Sequence, residues 1–473
     1  MVTLLSQVGR MGVQLVGTIV LSRLLAPEDF GLVAMVGVFL ILGELLRDFG
    51  IPTAALQART LSHQQSSNLF WTNTLLGLVA GGALCAFTPL IVALYGEPRL
   101  AGIVPIMAAT LLLNGAQAQV QVVLARAMQF TALAVTTVAS AVLALLSAVI
   151  AAVSGWSYWS LVIQMVVGAV SLLLFRVIAA RWRPSMPRRH VGTKDFLRSG
   201  GAIGLAQIVG FAASNADTVL IGSVWGATVL GQYNRAFQLM VAPLSGLLAP
   251  LTQVVIPTLN HVRDAGRSVF DLLRRIQFLV TGVMIPLLVI VAVAAPAIIP
   301  LLLGPGWEPA AHILRWLAIA ECFRTLSYIS YWGFLAERQS RQLLYYNVVT
   351  KSLTVALLAG AVWFGAEAVA IAYAVALALS WPINLYWLSR TASLPAMRFF
   401  VTGMQVLTAS LIAGGAAWTL LTFLSPQLHI AYVALTAAIV LSIYAAILCV
   451  VPQTRRNCAD ALNTARRLVR RAA

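Results

Sequence analysis

Apolar runs of about twenty residues follow one another from end to end of this chain and leave it few folds to adopt. A run of about 20 residues is what an α-helix needs to cross the hydrocarbon of a bilayer. Membrane β-strands would instead read as segments of about ten residues with alternating polarity. About fourteen runs stand out, at 3–22, 30–49, 69–94, 102–124, 131–153, 157–179, 200–222, 231–255, 277–302, 310–333, 343–364, 367–389, 401–423 and 429–451. Only 10% of the 473 residues are charged, against about 25% in a soluble domain. The loops leave no room for a separate soluble domain of normal size. The sequence therefore predicts an all-α polytopic membrane protein. Its N-terminus lacks a basic segment followed by a small-residue cleavage site, so the first run is expected to stay as an anchor.

The charges order these runs. With the N-terminus placed inside, alternate connections and the C-terminal tail collect twenty-four of the 31 Lys and Arg residues on the inner side. That is the positive-inside pattern. It accounts for the net charge of +17 through contact with anionic lipid head groups rather than nucleic acid. The densest inside stretch, 181–199, carries two prolines and a basic cluster. It reads as a linker between a first lobe of six helices (1–180) and a second (200–390). Two further helices follow in 391–451, and then a basic tail, 452–473, either solvated or lying along the membrane.

A repeat supports two related halves. The stretch around Pro27, L-L-A-P-E-D-F-G, returns two hundred residues later as V-W-G-A-T-V-L-G. Gly31 falls on Gly231 and Phe30 on Leu230; Ile51-Pro52-Thr53 returns as Ile256-Pro257-Thr258. Each match is short, and together they mark an internal duplication. Glu28 and Asp29 sit where carboxylates favour the start of a helix.

Ionisable groups within apolar runs are costly and need a partner or a wet cavity. They are Arg10, Glu44, Arg47, Asp48, Asp217, Arg235, Arg315, Glu321 and Arg324, with Arg23 at the membrane edge. Arg10, Gln14 and Gly17 share one helical face, which is expected to look into a cavity. Asn215, Asp217 and Asn234 add polarity where the second half opens. Glu321 and Arg324, three apart, suit either a packing ion pair or a working site. Prolines inside runs, among them Pro105, Pro286, Pro296 and Pro382, predict kinked helices. Four cysteines form no C-x-x-C pair, and five histidines are scattered. Neither a disulfide framework, nor a metal site, nor a nucleophile–base pair is expected.

The segments R-L-L-A-P-E-D-F-G-L-V-A, D-F-G-I-P-T-A-A-L-Q (48–57), A-D-T-V-L-I-G-S-V-W-G-A-T-V-L-G-Q-Y-N-R-A (216–236) and L-L-L-G-P-G-W-E-P-A-A-H-I-L-R (301–315) resemble the bacterial polysaccharide flippases. The resemblance is to the lipopolysaccharide, colanic-acid and teichuronic-acid exporters of the multidrug/oligosaccharidyl-lipid/polysaccharide superfamily. It implies two six-helix lobes around a central cavity in the cytoplasmic membrane, with both termini cytoplasmic. It implies transport, without enzymatic chemistry or cofactor, of an undecaprenyl-diphosphate-linked oligosaccharide to the outer leaflet. Membrane lipids, a polysaccharide polymerase and glycosyltransferases are the implied partners.

Arg23 falls at a turn comparable to one where lipid II flippases hold the diphosphate. Arg10, Arg235 and Arg324 join it by position, as guanidinium groups suited to a diphosphate. Asp217 and Glu321, with Gln14 and Asn215, are the candidates for polar cavity groups and for proton or sodium coupling. Competing readings are a multidrug exporter of the same superfamily, a polymerase or ligase, and a non-transport scaffold. Arginines outnumber carboxylates among the membrane charges, which favours an anionic substrate over organic cations.

Overall fold

The computed structural model describes residues 2–48, 50–188, 210–211, 214–266, 268–392, 395–424 and 428–450. The tail at 452–473 and most of the linker and of the run at 200–222 lie outside the described residues. The described elements are helical. They are α1 (Val2–Leu24), α2 (Pro27–Asp48), α3 (Ile51–Gln57), α4 (His63–Ala86), α5 (Thr88–Tyr95), α6 (Leu100–Arg126), α7 (Phe130–Val153) and α8 (Trp159–Ala180). After the linker come α9 (Ala216–Asp264), α10 (Val269–Leu303), α11 (Glu308–Ala336), α12 (Ser340–Ala361), α13 (Ala366–Ala392), α14 (Ala396–Leu424) and α15 (His429–Val450). A single 3₁₀ turn, Val362–Phe364, follows α12. Ten described helices are long and apolar enough to cross a membrane, so the protein is a multi-pass membrane protein.

Helix ends follow the hydropathy pattern closely, with three additions. The short α3 begins at Gly50, whose φ of 70° fits glycine. The third run breaks at Phe87, where Thr88-Pro89 opens α5. Helix α9 breaks at Gly226, with φ 75° and ψ −172°, a conformation open to glycine. This break stands two hundred residues after the α1–α2 turn at Ala26.

The chain divides into two compact units, 1–234 and 235–473. The division falls inside α9. In the first unit, α4 and α6 approach through small residues. A Cβ on Gly77 would lie 2.5 Å from the Leu111 carbonyl oxygen, and one on Gly115 2.5 Å from that of Asn73. Small residues let helix backbones approach in a membrane, where expulsion from water does not drive them together. The second unit packs around large buried side chains, including Trp307, Trp332, Trp381, Phe334 and Phe399.

Candidate functional site

The repeated segments meet inside the first unit. A Cβ on Gly31 would lie 1.8 Å from the carbonyl oxygen of Ala227, and one on Gly231 1.8 Å from that of Pro27. Residues 27 and 227 are themselves equivalent at the two-hundred-residue offset, so the crossing is reciprocal. Each copy supplies the glycine that the other copy's backbone rests on. Two main chains this close exclude every other amino acid at both positions.

Polar groups around this crossing are engaged locally. Asp29 accepts the Ala26 N–H at 3.0 Å, tying off the start of α2, and its other oxygen accepts the Ser157 hydroxyl. Arg99 donates to Glu28 and, at 2.7 Å, to Glu97. These hydrogen bonds hold the Glu97 carboxyl below its ordinary range. Asp217, 5% exposed, accepts the Tyr233 hydroxyl at 2.8 Å and the Thr218 N–H at 2.8 Å. This joins the two limbs of α9 across the Gly226 break. Asn215 donates to the Phe211 carbonyl at 2.9 Å. Deeper in the unit, the buried Arg176 donates to Gln117 and, at 2.9 Å, to Gln121. Asn114 donates to Glu44 at 2.9 Å, and Arg47 pairs with Asp48 at 2.7 Å.

On α1, Arg10, Gln14 and Arg23 are exposed. Gly17 is buried, with Leu145 of α7 beside it, and Gly9 faces Val138 of the same helix. Thirteen residues separate Arg10 from Arg23, about 20 Å along a helix. One diphosphate cannot reach both.

The second unit holds a cavity of about 630 Å³, within the size range of small-molecule sites. Four helices line it: α9 with Thr252 and Gln253, α11 with Arg324, Ser327, Tyr328 and Tyr331, α12 from Leu343 to Thr354, and α13 from Tyr373 to Asn384. Its lining holds two cations, Arg324 and Lys351, and no carboxylate. Glu321, fully buried, lies behind Arg324 at 2.6 Å and fixes its guanidinium. Tyr328 stands edge-on to Tyr331 and Trp332, with ring centres 5.8 and 6.0 Å apart. Trp332 in turn donates to Thr252 at 3.0 Å. Asn384 is 2% exposed and donates to the Ser327 carbonyl at 3.4 Å. Its own carbonyl oxygen and the Ser327 hydroxyl have no hydrogen-bond partner among the described residues. Buried polar groups normally find partners; these two belong to residues that border the chamber but are themselves shielded from it. The cavity thus offers positive charge, aromatic faces and amide or hydroxyl groups, a combination suited to a polar anionic guest.

Of the residues singled out in the sequence, Glu321 and Arg324 come together here. Arg235 bonds Gln238 at 2.8 Å one turn further along α9, and Arg315 lies over the Trp418 ring at 4.3 Å. The tyrosines, Lys351 and Asn384 escaped the sequence reading. Their signal is a polar stripe at helical spacing: 324, 327, 328 and 331 on α11, and 343, 346, 347, 350, 351 and 354 on α12.

Known proteins place the chain. It is similar to the lipopolysaccharide biosynthesis protein WzxC of Escherichia coli (strain K12), 23% identical over 67% of this chain and 64% of the relative. It is similar to the teichuronic acid biosynthesis protein TuaB of Bacillus subtilis (strain 168), 26% identical over 60% of each. The chain thus spans under two thirds of the length of either. Among solved structures, the lipid II flippase MurJ in an inward closed conformation shares the fold, with a TM-score of 0.72 over 94% of this chain and 96% of that one, at 14% identity. The profile of the family described as polysaccharide biosynthesis protein matches residues 20–312, more than half the sequence, and the chain belongs to that family.

Proposed function

We propose that the protein is a flippase that carries a lipid-linked oligosaccharide from the inner to the outer leaflet of the bacterial cytoplasmic membrane for surface polysaccharide synthesis. The observation that carries this reading is the cavity of the second unit, cationic and tyrosine-walled within apolar helices. Family membership and the fold shared with a lipid II flippase support it. A diphosphate and several sugars cannot cross about 30 Å of hydrocarbon unaided. A polar chamber supplies the hydrogen bonds and countercharge that lipid withholds. The substrate is an undecaprenyl-diphosphate oligosaccharide whose prenyl tail stays in lipid, and alternating access moves its head group.

In this reading the ten apolar helices are joined by α1, α11 and the runs at 200–222 and 231–255 to make fourteen spans. They form two lobes of six with two helices appended, and both termini are cytoplasmic. Arg324 contacts the anionic part of the head group, and Glu321 positions it. Tyr328, Tyr331 and Asn384 contact sugar. Arg10, Arg23 and Arg235 serve as separate guanidinium contacts along the path, since spacing forbids one clamp. Asp217, with Asn215 beside it, holds the α9 break; Gln14 adds polarity next to Arg10. A polymerase and glycosyltransferases act on the same lipid-linked units. Any coupling to protons or sodium falls to Glu321 rather than Asp217.

The test is a leaflet assay. Purified protein is placed in liposomes with a fluorescent undecaprenyl-diphosphate oligosaccharide, and its accessibility to an external quencher is followed. Exchange between leaflets above protein-free liposomes is expected. Correctly folded protein that gives no exchange across several glycan head groups refutes the reading.

A further inference from the structure

After Arg181, whose backbone is left-handed with φ 46° and ψ 24°, residues 182–188 have no regular secondary structure and bond to the beginning of α4. Their backbone is read by α4 side chains. The Ser185 N–H donates to Ser67 Oγ at 3.0 Å, and the Ser185 carbonyl accepts Trp71 Nε1 at 3.0 Å. One residue on, the Met186 carbonyl accepts Gln64 Nε2 at 2.9 Å. Asn68 grips Arg188 from both sides: its Nδ2 donates to the Arg188 carbonyl at 2.7 Å, and its Oδ1 accepts the Arg188 N–H at 3.0 Å. The Ser185 hydroxyl donates to Gln64 Oε1 at 3.1 Å, and the Trp182 ring packs on His63 and Phe70, centroids 5.8 and 5.9 Å away.

Residues 64, 67, 68 and 71 form one face of a helix, so a single stripe of α4 makes every one of these side-chain bonds. A segment outside helix and sheet lacks a regular set of internal partners for its amides and must find them elsewhere. Pro184 and Pro187 favour the extended conformation and present no N–H of their own. Five backbone groups bound by one stripe, with an aromatic anchor at the start, are more than a surface linker needs. The anionic or metal ligands that other clusters invite are absent from this stripe, which holds amides, a hydroxyl and an indole. Its chemistry fits a peptide backbone.

We propose that the α4 stripe is a peptide-binding face, that its occupant is the chain's own 182–188 segment, and that this docked strap is required for transport. The strap makes the exit of the chain from α8 part of the first unit. A change in α4 is thereby passed to the segment that leaves α8.

The binding half of the proposal does not depend on the flippase reading; the transport half does. The two are measured separately on full-length protein in nanodiscs and liposomes. Hydrogen–deuterium exchange of the peptide spanning 182–188 is expected to be slowed at least tenfold for Ser185 and Arg188 relative to an unstructured peptide. Asn68→Ala is expected to release Arg188, and Ser67→Ala to release Ser185. Because Ser67 and Asn68 are buried and their loss can harm folding, Gln64→Ala/Trp71→Phe removes three strap bonds from more open positions. This double variant is expected to raise exchange throughout 182–188 and to lower leaflet exchange at least fivefold, with an unchanged elution profile. Unprotected amides in the wild type overturn the docked strap. Released amides with wild-type leaflet exchange overturn its role in transport.

Discussion

Asp217 in the first unit and Arg324 in the second are both ionisable groups deep in apolar helices, yet their surroundings differ in kind. Asp217 meets Tyr233 and Thr218, and both of its oxygens are engaged. Elsewhere in the first unit Asp29, Arg176 and Glu44 are likewise engaged by neighbours. Arg324 is held from behind by Glu321 and lines an open chamber with tyrosines and unpartnered polar atoms beside it. A charge in hydrocarbon needs compensation. Asp217 finds it in its own neighbours, and the group fixes structure. Arg324 is compensated too, by Glu321, and differs in that its surroundings open onto a cavity. Intramembrane charge alone therefore does not mark a site.

The sharpest way to break this contrast is at the glycine crossing. Gly31→Val or Gly231→Val drives a side chain into the opposing backbone. It is expected to cost about 3 kcal/mol or more, read as loss of folded protein in a thermal unfolding scan in detergent. A variant as stable as wild type would show that the backbones can part at little cost.

Next in size come the cavity variants. Tyr331→Ala is expected to leave the thermal midpoint within a few degrees, and so is Arg324→Ala when combined with Glu321→Gln, which avoids leaving the buried carboxylate alone. They are expected to weaken binding of a soluble diphosphate-sugar fragment about tenfold or more, the cost of about 1–3 kcal/mol for a lost charged or buried hydrogen-bond partner. Titration calorimetry checks this. A variant that binds as wild type removes its residue from the site.

Asp217→Asn is expected to do the reverse. It keeps transport, with or without an ion gradient, and lowers stability by about 1 kcal/mol through loss of a charge-assisted bond. If transport becomes insensitive to a gradient that drives the wild type, Asp217 couples rather than braces.

The smallest effect belongs to the exposed cluster at Glu97. Its carboxyl is held below 4.5 by hydrogen bonds from Arg99. Its contribution is therefore full above that ordinary value and disappears as pH falls through the lowered one. Arg99→Ala is expected to flatten the acid limb of the stability profile below about pH 4.5. The change is within about 0.5 kcal/mol, as for exposed ion pairs.

Hydropathy placed the helices because the cost of burying backbone in lipid is uniform along a span, so boundaries follow composition. The short echo at Gly31 and Gly231 was legible too, and its physical content is the reciprocal backbone contact. The cavity was not. Tyr328, Tyr331 and Tyr346 are amphipathic and pass for ordinary membrane aromatics, so only their alignment with Arg324, Asn347 and Lys351 sets them apart. Charge drew attention to Arg10 and Asp217 instead, and charge reports cost rather than purpose. The strap was hidden for a different reason. Its bonds run to main-chain groups at Ser185, Met186 and Arg188, which every sequence possesses.

The most direct test sets the two kinds of polar group side by side in the leaflet assay. Wild type, Tyr331→Ala with Arg324→Ala, and Asp217→Asn are reconstituted at equal density with fluorescent undecaprenyl-diphosphate oligosaccharide. Rapid leaflet exchange is expected for wild type and Asp217→Asn, and a drop of at least tenfold for the cavity double variant. Wild-type exchange by a folded cavity variant would contradict the claim that this cavity carries the substrate.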